Sequence, residues 1–325
     1  KYARLVADKF NTDHHEIKIT PAQFKAFIPE YIKLMDEPVT EAAAISLFFV
    51  SKLAKENVTV ALSGEGSDEI FAGYDLYRYM SVLEKYRSIV GRIGANFFSW
   101  LSNMVLGESH KISKYLSMAR LPLEQRYKGI STYQEHHKTH LYRDDFKVSL
   151  KEQGQVNATR FTSNLFNKVA DQEQLSKMLY FDTKTWLVDD LLIKADRMSM
   201  GTSIELRVPF LDYRLVEFAA TIPSKHKIKK GHGKYPLKKM MEGILPKEII
   251  YRKKMGFPTP LKLMFQNELR EYAEELLLSG QSRVHQFFRK ERISQLIAEH
   301  NSNKYDHHRE LWQLVVLEEW LRENG

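Results

Sequence analysis

The chain has 325 residues, of which 43% are hydrophobic and 28% charged, a composition typical of soluble globular domains and sufficient for a sizeable core. Its most apolar run, residues 42–50, is far shorter than the roughly 20 residues that a membrane helix needs. The sequence contains no cysteine, which excludes disulfides, thiolate metal sites and a cysteine nucleophile in this chain and favours a cytoplasmic location.

The formal net charge of +8 points to anionic ligands. The densest basic runs are residues 225–230 and 252–254, and the other lysines and arginines are spread along the chain. This distribution favours a local anionic substrate over a nucleic-acid tract. We therefore expect neither nucleic acid nor a membrane as a partner.

Hydrophobic periodicity predicts a mainly helical chain with a small number of strands. The pattern predicts a helix at 1–10, a strand at 15–19, helices at 21–35 and 41–56, a buried strand at 58–62, and a helix capped by Ser67 or Asp68. Only helical periodicity follows from about 75 to 178, and then come a long helix at 171–200, a turn at 208–211, and helices at 212–221, 235–245, 262–279 and most of 285–324. We expect one α/β domain, predominantly helical, in which residues 1–75 form the α/β part and residues 76–325 are mostly helical.

The run from Leu62 to Tyr74 reads as the end of a strand, a turn with two glycines, and a helix. Ligands of α/β sheets bind at the carboxyl ends of strands, and bare glycine backbone allows close approach. Clustered carboxylates can bind a divalent metal ion, and such an ion in turn binds phosphate. The candidates are Ser63, Gly64 and Gly66 for a nucleotide, Asp68 for the metal, and Glu65 for a substrate or an ion. The structural alternative is a helix whose acidic first turn interacts with its own dipole.

A second candidate site is the apolar helix that contains Asp190, Lys194 and Arg197. In an α-helix this spacing of i, i+4 and i+7 puts the three side chains on one face. Charged groups in so apolar a helix need partners or a ligand. The spacing therefore predicts a substrate pocket, and the alternative is an internal ion-pair network.

A third candidate is Lys254, within the run Tyr-Arg-Lys-Lys-Met-Gly-Phe-Pro-Thr-Pro at 251–260. The glycine and the prolines predict a constrained loop rather than a helix. A lysine held there can offset negative charge that develops on a phosphate or a tetrahedral intermediate. The alternative is a basic surface loop.

Together, the three segments resemble the synthetase domain of the glutamine-dependent (class B) asparagine synthetases. The resemblance rests on Ser-Gly-Glu-Gly-Ser-Asp-Glu at 63–69, on 189–200 with Glu-Leu-Arg-Val-Pro-Phe-Leu-Asp at 205–212, and on the basic loop at 252–257. It implies a parallel sheet of the adenine-nucleotide-α-hydrolase (ATP pyrophosphatase) type with a large helical region. It also implies a carbon–nitrogen ligase that forms β-aspartyl-AMP from ATP and aspartate and then amidates it with ammonia.

The resemblance further implies a role for each candidate residue. Ser63, Gly64 and Gly66 would contact ATP, and Asp68 would help to hold Mg²⁺ on the phosphates. Glu65 would act at the acyl-adenylate as a base for the incoming amine, and Lys254 would steady negative charge in the transition state. Asp190, Lys194 and Arg197 would line or brace the substrate pocket.

Two parts of the family pattern do not occur in this sequence: the Ser-Gly-Gly-x-Asp-Ser pyrophosphate loop and the glutaminase domain that begins with a nucleophilic cysteine. We expect both to lie upstream of Lys1 in the same polypeptide, together with the central strands of the sheet. The segment alone is then expected to be inactive, and its open sheet edge to be covered by the missing part or by another copy in a homodimer.

Two other functions are compatible with the same motifs. Relatives of asparagine synthetase activate other carboxylates, as in β-lactam synthetases and peptide-cyclising enzymes, and they share the ATP motifs. A non-catalytic module that binds a nucleotide is the third possibility, but Glu65, Asp68 and Lys254 are all present, which argues against a degenerate site.

Overall fold

The fold is mainly helical with a two-stranded parallel sheet, in the residues that the computed structural model describes: 1–106, 110–130, 140–154, 158–253, 256 and 259–325. The amino-terminal elements are α1 (Tyr2–Phe10), α2 (Pro21–Met35), α3 (Ala43–Lys55), β1 (Val60–Leu62), α4 (Ser67–Phe71) and α5 (Asp75–Leu106). The central helices are α6 (Lys111–Ala119), α7 (Leu123–Arg126), α8 (Asp144–Glu152), α9 (Ala158–Asn167) and α10 (Gln174–Lys184).

A π-helical turn (Leu187–Leu192) leads into α11 (Ile193–Met200), β2 (Glu205–Arg207) and a 3₁₀ turn (Pro209–Leu211). The remaining helices are α12 (Tyr213–Thr221), α13 (Ser224–Lys227), α14 (Tyr235–Met241), α15 (Lys247–Ile250), α16 (Leu261–Gln266), α17 (Arg270–Leu278), α18 (Lys290–Asn301) and α19 (His308–Asn324), with a 3₁₀ turn at Arg283–Gln286. Within the described residues, no helix combines the length and the apolar character needed to cross a membrane.

Several helices begin where local capping chemistry predicts. Pro21 occupies the first turn of α2, and the Thr20 hydroxyl accepts a hydrogen bond from the backbone N–H of Gln23. Asp212 caps α12 by accepting from the backbone N–H of Arg214. The predictions of helices at 1–10, 21–35, 41–56 and 212–221 are confirmed to within about two residues.

The strand predicted at 15–19 is wrong, because these residues are irregular in the structure. The neighbouring side chains bond along the chain instead: His14 Nε2 lies 2.8 Å from Glu16 Oε1, and His15 pairs with Asp13. The second strand of the sheet is β2, which pairs in parallel with β1 in the register Val60–Glu205 and Leu62–Arg207. The sheet therefore draws one strand from within residues 1–75 and the other from beyond them.

The single long helix predicted at 171–200 is also wrong. The chain leaves α10 at Thr185, whose φ of −133° and ψ of −88° are not helical, and then forms the π turn before α11. The helix predicted at 262–279 divides in the same way at Asn267. A π turn is rare and is frequently found at functional sites.

The core divides around the site. One cluster packs α2, α3 and α16–α19 around Tyr31, Phe265 and Trp312, and a second packs α5 and α10 around Tyr77 and Met178. A third, small cluster holds α4 against α12 through Ile70, Phe71 and Ala219. These contacts fix α4, which follows the candidate nucleotide turn.

The sheet leaves apolar side chains in solvent. Leu62 is 73% exposed and Val60 is 38% exposed, although both lie in a strand. Ser63 extends the ladder by donating its backbone N–H to the carbonyl of Arg207 at 2.8 Å. The strand predicted at 58–62 is thus present at 60–62, but the prediction that it is buried is wrong, because β1 has one partner strand in the described part of the chain.

Candidate functional site

The turn between β1 and α4 is built by glycines. Gly66 has a φ of +85°, and a Cβ at this position would overlap the side chain of Leu211. Gly64 faces open space, with no atom within 4 Å of the position that a Cβ would take. The turn therefore holds its conformation at Gly66 and leaves the backbone of Gly64 accessible to a ligand.

The sequence predicted that Ser67 or Asp68 caps the start of α4, and this prediction is wrong. Gly66 occupies the N-cap position, and the hydroxyl of Ser67 donates to the carbonyl of Gly64 at 2.8 Å. The Asp68 carboxylate is thereby released from capping. It forms an ion pair with Lys234, whose Nζ lies 2.8 Å from Asp68 Oδ1 and also donates to Ser67 Oγ at 2.9 Å.

Two glycines allow Lys234 to approach α4 this closely. A Cβ on Gly73 would overlap Asp68 Oδ1, and a Cβ on Gly233 would overlap the carbonyl oxygen of Ala72. Lys234 is not among the residues predicted from the sequence. The signal was the Gly-His-Gly-Lys run at 231–234, which does not have the spacing of a Walker loop.

A basic cavity of about 280 Å³ opens beside this ion pair. Its cationic lining comes from Lys234, Lys238 and Arg252, while Asp68 forms part of the same wall. Burial, followed by the charge of Lys234, lowers the pKa of Lys238. Three cations around one carboxylate make this cavity suited to a polyanion.

Asp190 feels the charges of two other carboxylates and of one lysine. Burial raises the pKa of Asp190 from 3.8 to about 6, the charges of Glu41 and Glu65 raise it further, and Lys194 opposes them. Lys194 is itself buried. The charges of Glu41, Glu65 and Lys194 thus all act on Asp190, and the sequence predicted neither Glu41 nor Glu65 near it.

Arg197 does not join this group. Its guanidinium forms an ion pair with Asp36 at 2.6 Å, and the Arg197 side chain is 48% exposed. The α-helical spacing used to place it does not hold, because Asp190 lies in the π turn, which has more residues per turn. Glu205 and Arg207 pair with each other at 2.7 Å, but both side chains are exposed, so the contact is not an internal one.

A cavity of about 480 Å³ adjoins the group at Asp190. Asp189, Asp190, Trp186 and Lys128 contribute to its lining. It offers both charges and an aromatic surface, which suits a small zwitterion.

A buried hydrogen-bonded chain connects this cavity to α4. Glu69 is 1% exposed and accepts from the Tyr74 hydroxyl at 2.6 Å, and Trp186 Nε1 donates to that hydroxyl at 3.3 Å. Burial raises the pKa of both Glu69 and Tyr74. The third carboxylate of the motif thus fixes the turn from behind rather than facing a ligand at the front.

The candidate Lys254 lies outside the described residues. Its neighbour Tyr251 donates to Glu242, and Arg252 lines the basic cavity. Among the described side chains, no group of three or more histidines, aspartates and glutamates is placed to hold a metal ion by itself.

The fold and the site define an α/β protein that presents a glycine turn, an acid–lysine pair and a basic cavity at the carboxyl end of a parallel strand. The chain belongs to the asparagine synthase family, whose sequence model matches residues 1–322.

The relatives agree with this assignment. The chain is 34% identical over 306 residues to "Asparagine synthetase [glutamine-hydrolyzing] 1" of Bacillus subtilis, a match that covers 93% of this chain and 46% of that protein. It is 31% identical over 319 residues to "Putative asparagine synthetase [glutamine-hydrolyzing]" of Mycobacterium tuberculosis, covering 94% of this chain and 46% of that one. The chain therefore spans slightly less than half the length of these curated relatives.

Proposed function

We propose that this chain is the ATP-dependent half of an asparagine synthetase. It activates the side-chain carboxylate of aspartate as β-aspartyl-AMP with release of pyrophosphate, and ammonia then displaces AMP to give asparagine. The observation that supports this best is the position of Glu65 on the glycine turn. Its charge acts on Asp190, as does that of Lys194, and it lies three residues before Asp68, which pairs with Lys234.

ATP would bind along the front of the turn. The N–H of Ser63 already donates to Arg207, so the contact would come from the Ser63 hydroxyl and from the open backbone around Gly64 and Gly66. Mg²⁺ would be held by Asp68 together with phosphate oxygens, since this ion is usually bound by one or two carboxylates plus substrate phosphates. Bound there, it would neutralise phosphate charge.

The basic cavity would take the phosphates. Lys234 would exchange its contact with Asp68 for phosphate oxygens when nucleotide enters, and Lys238 and Arg252 would add charge around the pyrophosphate leaving group. Lys254 would steady the charge of the transition state.

Aspartate would bind on the opposite side of the turn. Its ammonium group matches Asp190 and Glu41, and its α-carboxylate matches the buried Lys194. Arg197 would brace the helix through Asp36. Glu65 would then accept a proton from ammonia as the C–N bond forms and the bond from carbon to the AMP oxygen breaks.

The remaining features belong to the complete polypeptide. We propose that further strands of an adenine-nucleotide-α-hydrolase sheet, the pyrophosphate loop and a glutaminase domain accompany this chain, as the names and lengths of its relatives suggest. A homodimer and a cytoplasmic location remain part of the same proposal, as does the lack of a nucleic-acid partner.

The two half-reactions test the proposal in the full gene product. We expect aspartate-dependent exchange of labelled pyrophosphate into ATP, and asparagine formation from ammonia. Glu65→Gln should retain the exchange and lose asparagine formation by about 100-fold, the usual contribution of a general base. Glu56→Gln, which alters an exposed glutamate at the end of α3, is the matched control. Absence of aspartate-dependent exchange in the unmodified protein would refute the proposed function.

A further inference from the structure

A cavity of about 660 Å³ lies behind α4, between α10, α12 and α13. Its floor is apolar, with Ile70, Leu179 and Val216, and hydroxyl groups of Ser176 and Thr183 stand beside it. None of these residues has a role in the proposed reaction. The cavity is larger than either of those assigned above to phosphate and to aspartate.

The most unusual group in this cavity is the ammonium of Lys227. The residue is 3% exposed, and within the described part of the chain it makes neither a hydrogen bond nor an ion pair. Glu173 attracts it from a distance, and burial lowers the pKa of Lys227 to about 8. A largely buried cation without a close counter-ion among the described residues is costly, so a ligand that supplies an anion there gains that energy.

The other charges of the cavity also favour an anion. Lys168 and Lys184 stand at its rim, and among the described lining residues the exposed carboxylate of Asp171 opposes them. Glu69 contributes to the wall, but burial raises its pKa and its side chain is bonded to Tyr74. The lining is therefore cationic above an apolar floor.

We propose that this cavity binds a small organic anion with an apolar body, whose anionic group pairs with Lys227. The hydrocarbon part would lie on Leu179 and Val216. The site is separate from the reaction centre because α4 stands between them: Asp68 faces Lys234, while Glu69 and Ile70 line this cavity. The inference does not depend on the proposed function, since binding here needs no turnover.

Titration calorimetry with 4-phenylbutyrate tests the proposal, because this probe joins one carboxylate to a hydrophobic ring. We expect saturable binding in the millimolar range or tighter, and at least about tenfold weaker binding of the neutral 4-phenylbutanamide, which corresponds to about 1.4 kcal/mol. Near pH 8 the complex should take up protons, since the bound anion raises the pKa of Lys227. Absence of saturable binding, or equal binding of the acid and the amide, would overturn the proposal.

Two variants locate the binding. Lys227→Met should weaken phenylbutyrate at least about tenfold, whereas Lys225→Met, on the exposed face of the same helix, should leave it unchanged. Ala220 is exposed at the edge of the cavity. Ala220→Phe keeps Lys227 and should weaken the binding of phenylbutyrate by narrowing the cavity. Circular dichroism confirms the folding of each variant. Binding that survives both Lys227→Met and Ala220→Phe would place the probe elsewhere and contradict the inference.

Discussion

Lys234 forms an ion pair with Asp68 at 2.8 Å, although the two residues are remote in sequence. Its second partner, Ser67, is 167 residues away along the chain. The contact joins the helix after the glycine turn to the loop before α14. It neutralises the carboxylate that we assign to Mg²⁺ and places a cation where phosphate would arrive. The pair thus links the stability of the turn to the chemistry proposed for it.

Removing Lys234 should affect both properties. Because the pair is largely shielded from solvent, Lys234→Met should lower the free energy of unfolding by about 1–3 kcal/mol and weaken binding of ATP. Urea denaturation and nucleotide titration measure the two effects. A double-mutant cycle with Asp68→Asn measures the coupling energy between Lys234 and Asp68. A coupling energy near zero would show that the pair contributes nothing to stability. Lys230→Met, an exposed lysine in the same loop, is the control.

The two glycines of the turn should respond differently to alanine. At Gly66 the added methyl group meets Leu211 and the φ is positive, so Gly66→Ala should destabilise the protein by about 1–3 kcal/mol. At Gly64 there is open space, so Gly64→Ala should leave stability within about 0.5 kcal/mol of the parent. Thermal unfolding measures both.

Gly64→Ala should nevertheless weaken the binding of ATP, because the added methyl group occupies the space through which the nucleotide reaches the backbone. Unchanged ATP affinity in this variant would remove Gly64 from the binding site without affecting the argument for Gly66.

Asp190 should make stability fall as the pH rises. Its pKa is about 6 in the folded protein, above the ordinary value of 3.8. Between these two pH values the folded state binds more protons than the unfolded state. The free energy of unfolding therefore falls as the pH rises from about 4 to about 6. The full effect at neutral pH is at most about 3 kcal/mol.

Asp190→Asn should remove this loss, so its stability relative to the parent should increase across that range. Asp189→Asn, which removes an exposed carboxylate from the same π turn, controls for the loss of one negative charge. Parallel pH profiles for Asp190→Asn and the parent would show that burial does not perturb Asp190.

The turn from Leu62 to Tyr74 was predictable because its causes are local: an apolar run, two glycines and acidic residues in one short segment. The strand at 205–207 was missed because so short a segment has no periodicity of its own and becomes a strand only by pairing with β1. Lys234 was missed for the same reason, since its partner is remote in sequence. Arg197 was placed by α-helical geometry that the π turn does not obey, and Lys254 remains a prediction.

Tyr74 offers the last test, on the buried chain behind the turn. Tyr74→Phe removes the hydroxyl that donates to Glu69 at 2.6 Å and accepts from Trp186 at 3.3 Å. The buried Glu69 and the half-buried Trp186 each lose a hydrogen bond, so we expect a loss of about 1–3 kcal/mol in the free energy of unfolding. The lost bond also favoured the ionised form of Glu69, so its pKa should rise further in the variant.

The direction of that pKa shift determines how the stability loss of Tyr74→Phe depends on pH. A carboxyl whose pKa is raised on folding costs stability above its unfolded value, so the deficit of Tyr74→Phe should be larger at neutral pH than in acid. Urea denaturation at several pH values measures the deficit. Tyr79→Phe, which alters an exposed tyrosine on α5, should change little at any pH. If the deficit of Tyr74→Phe were the same in acid and at neutral pH, Glu69 would not be the group that the Tyr74 hydroxyl stabilises.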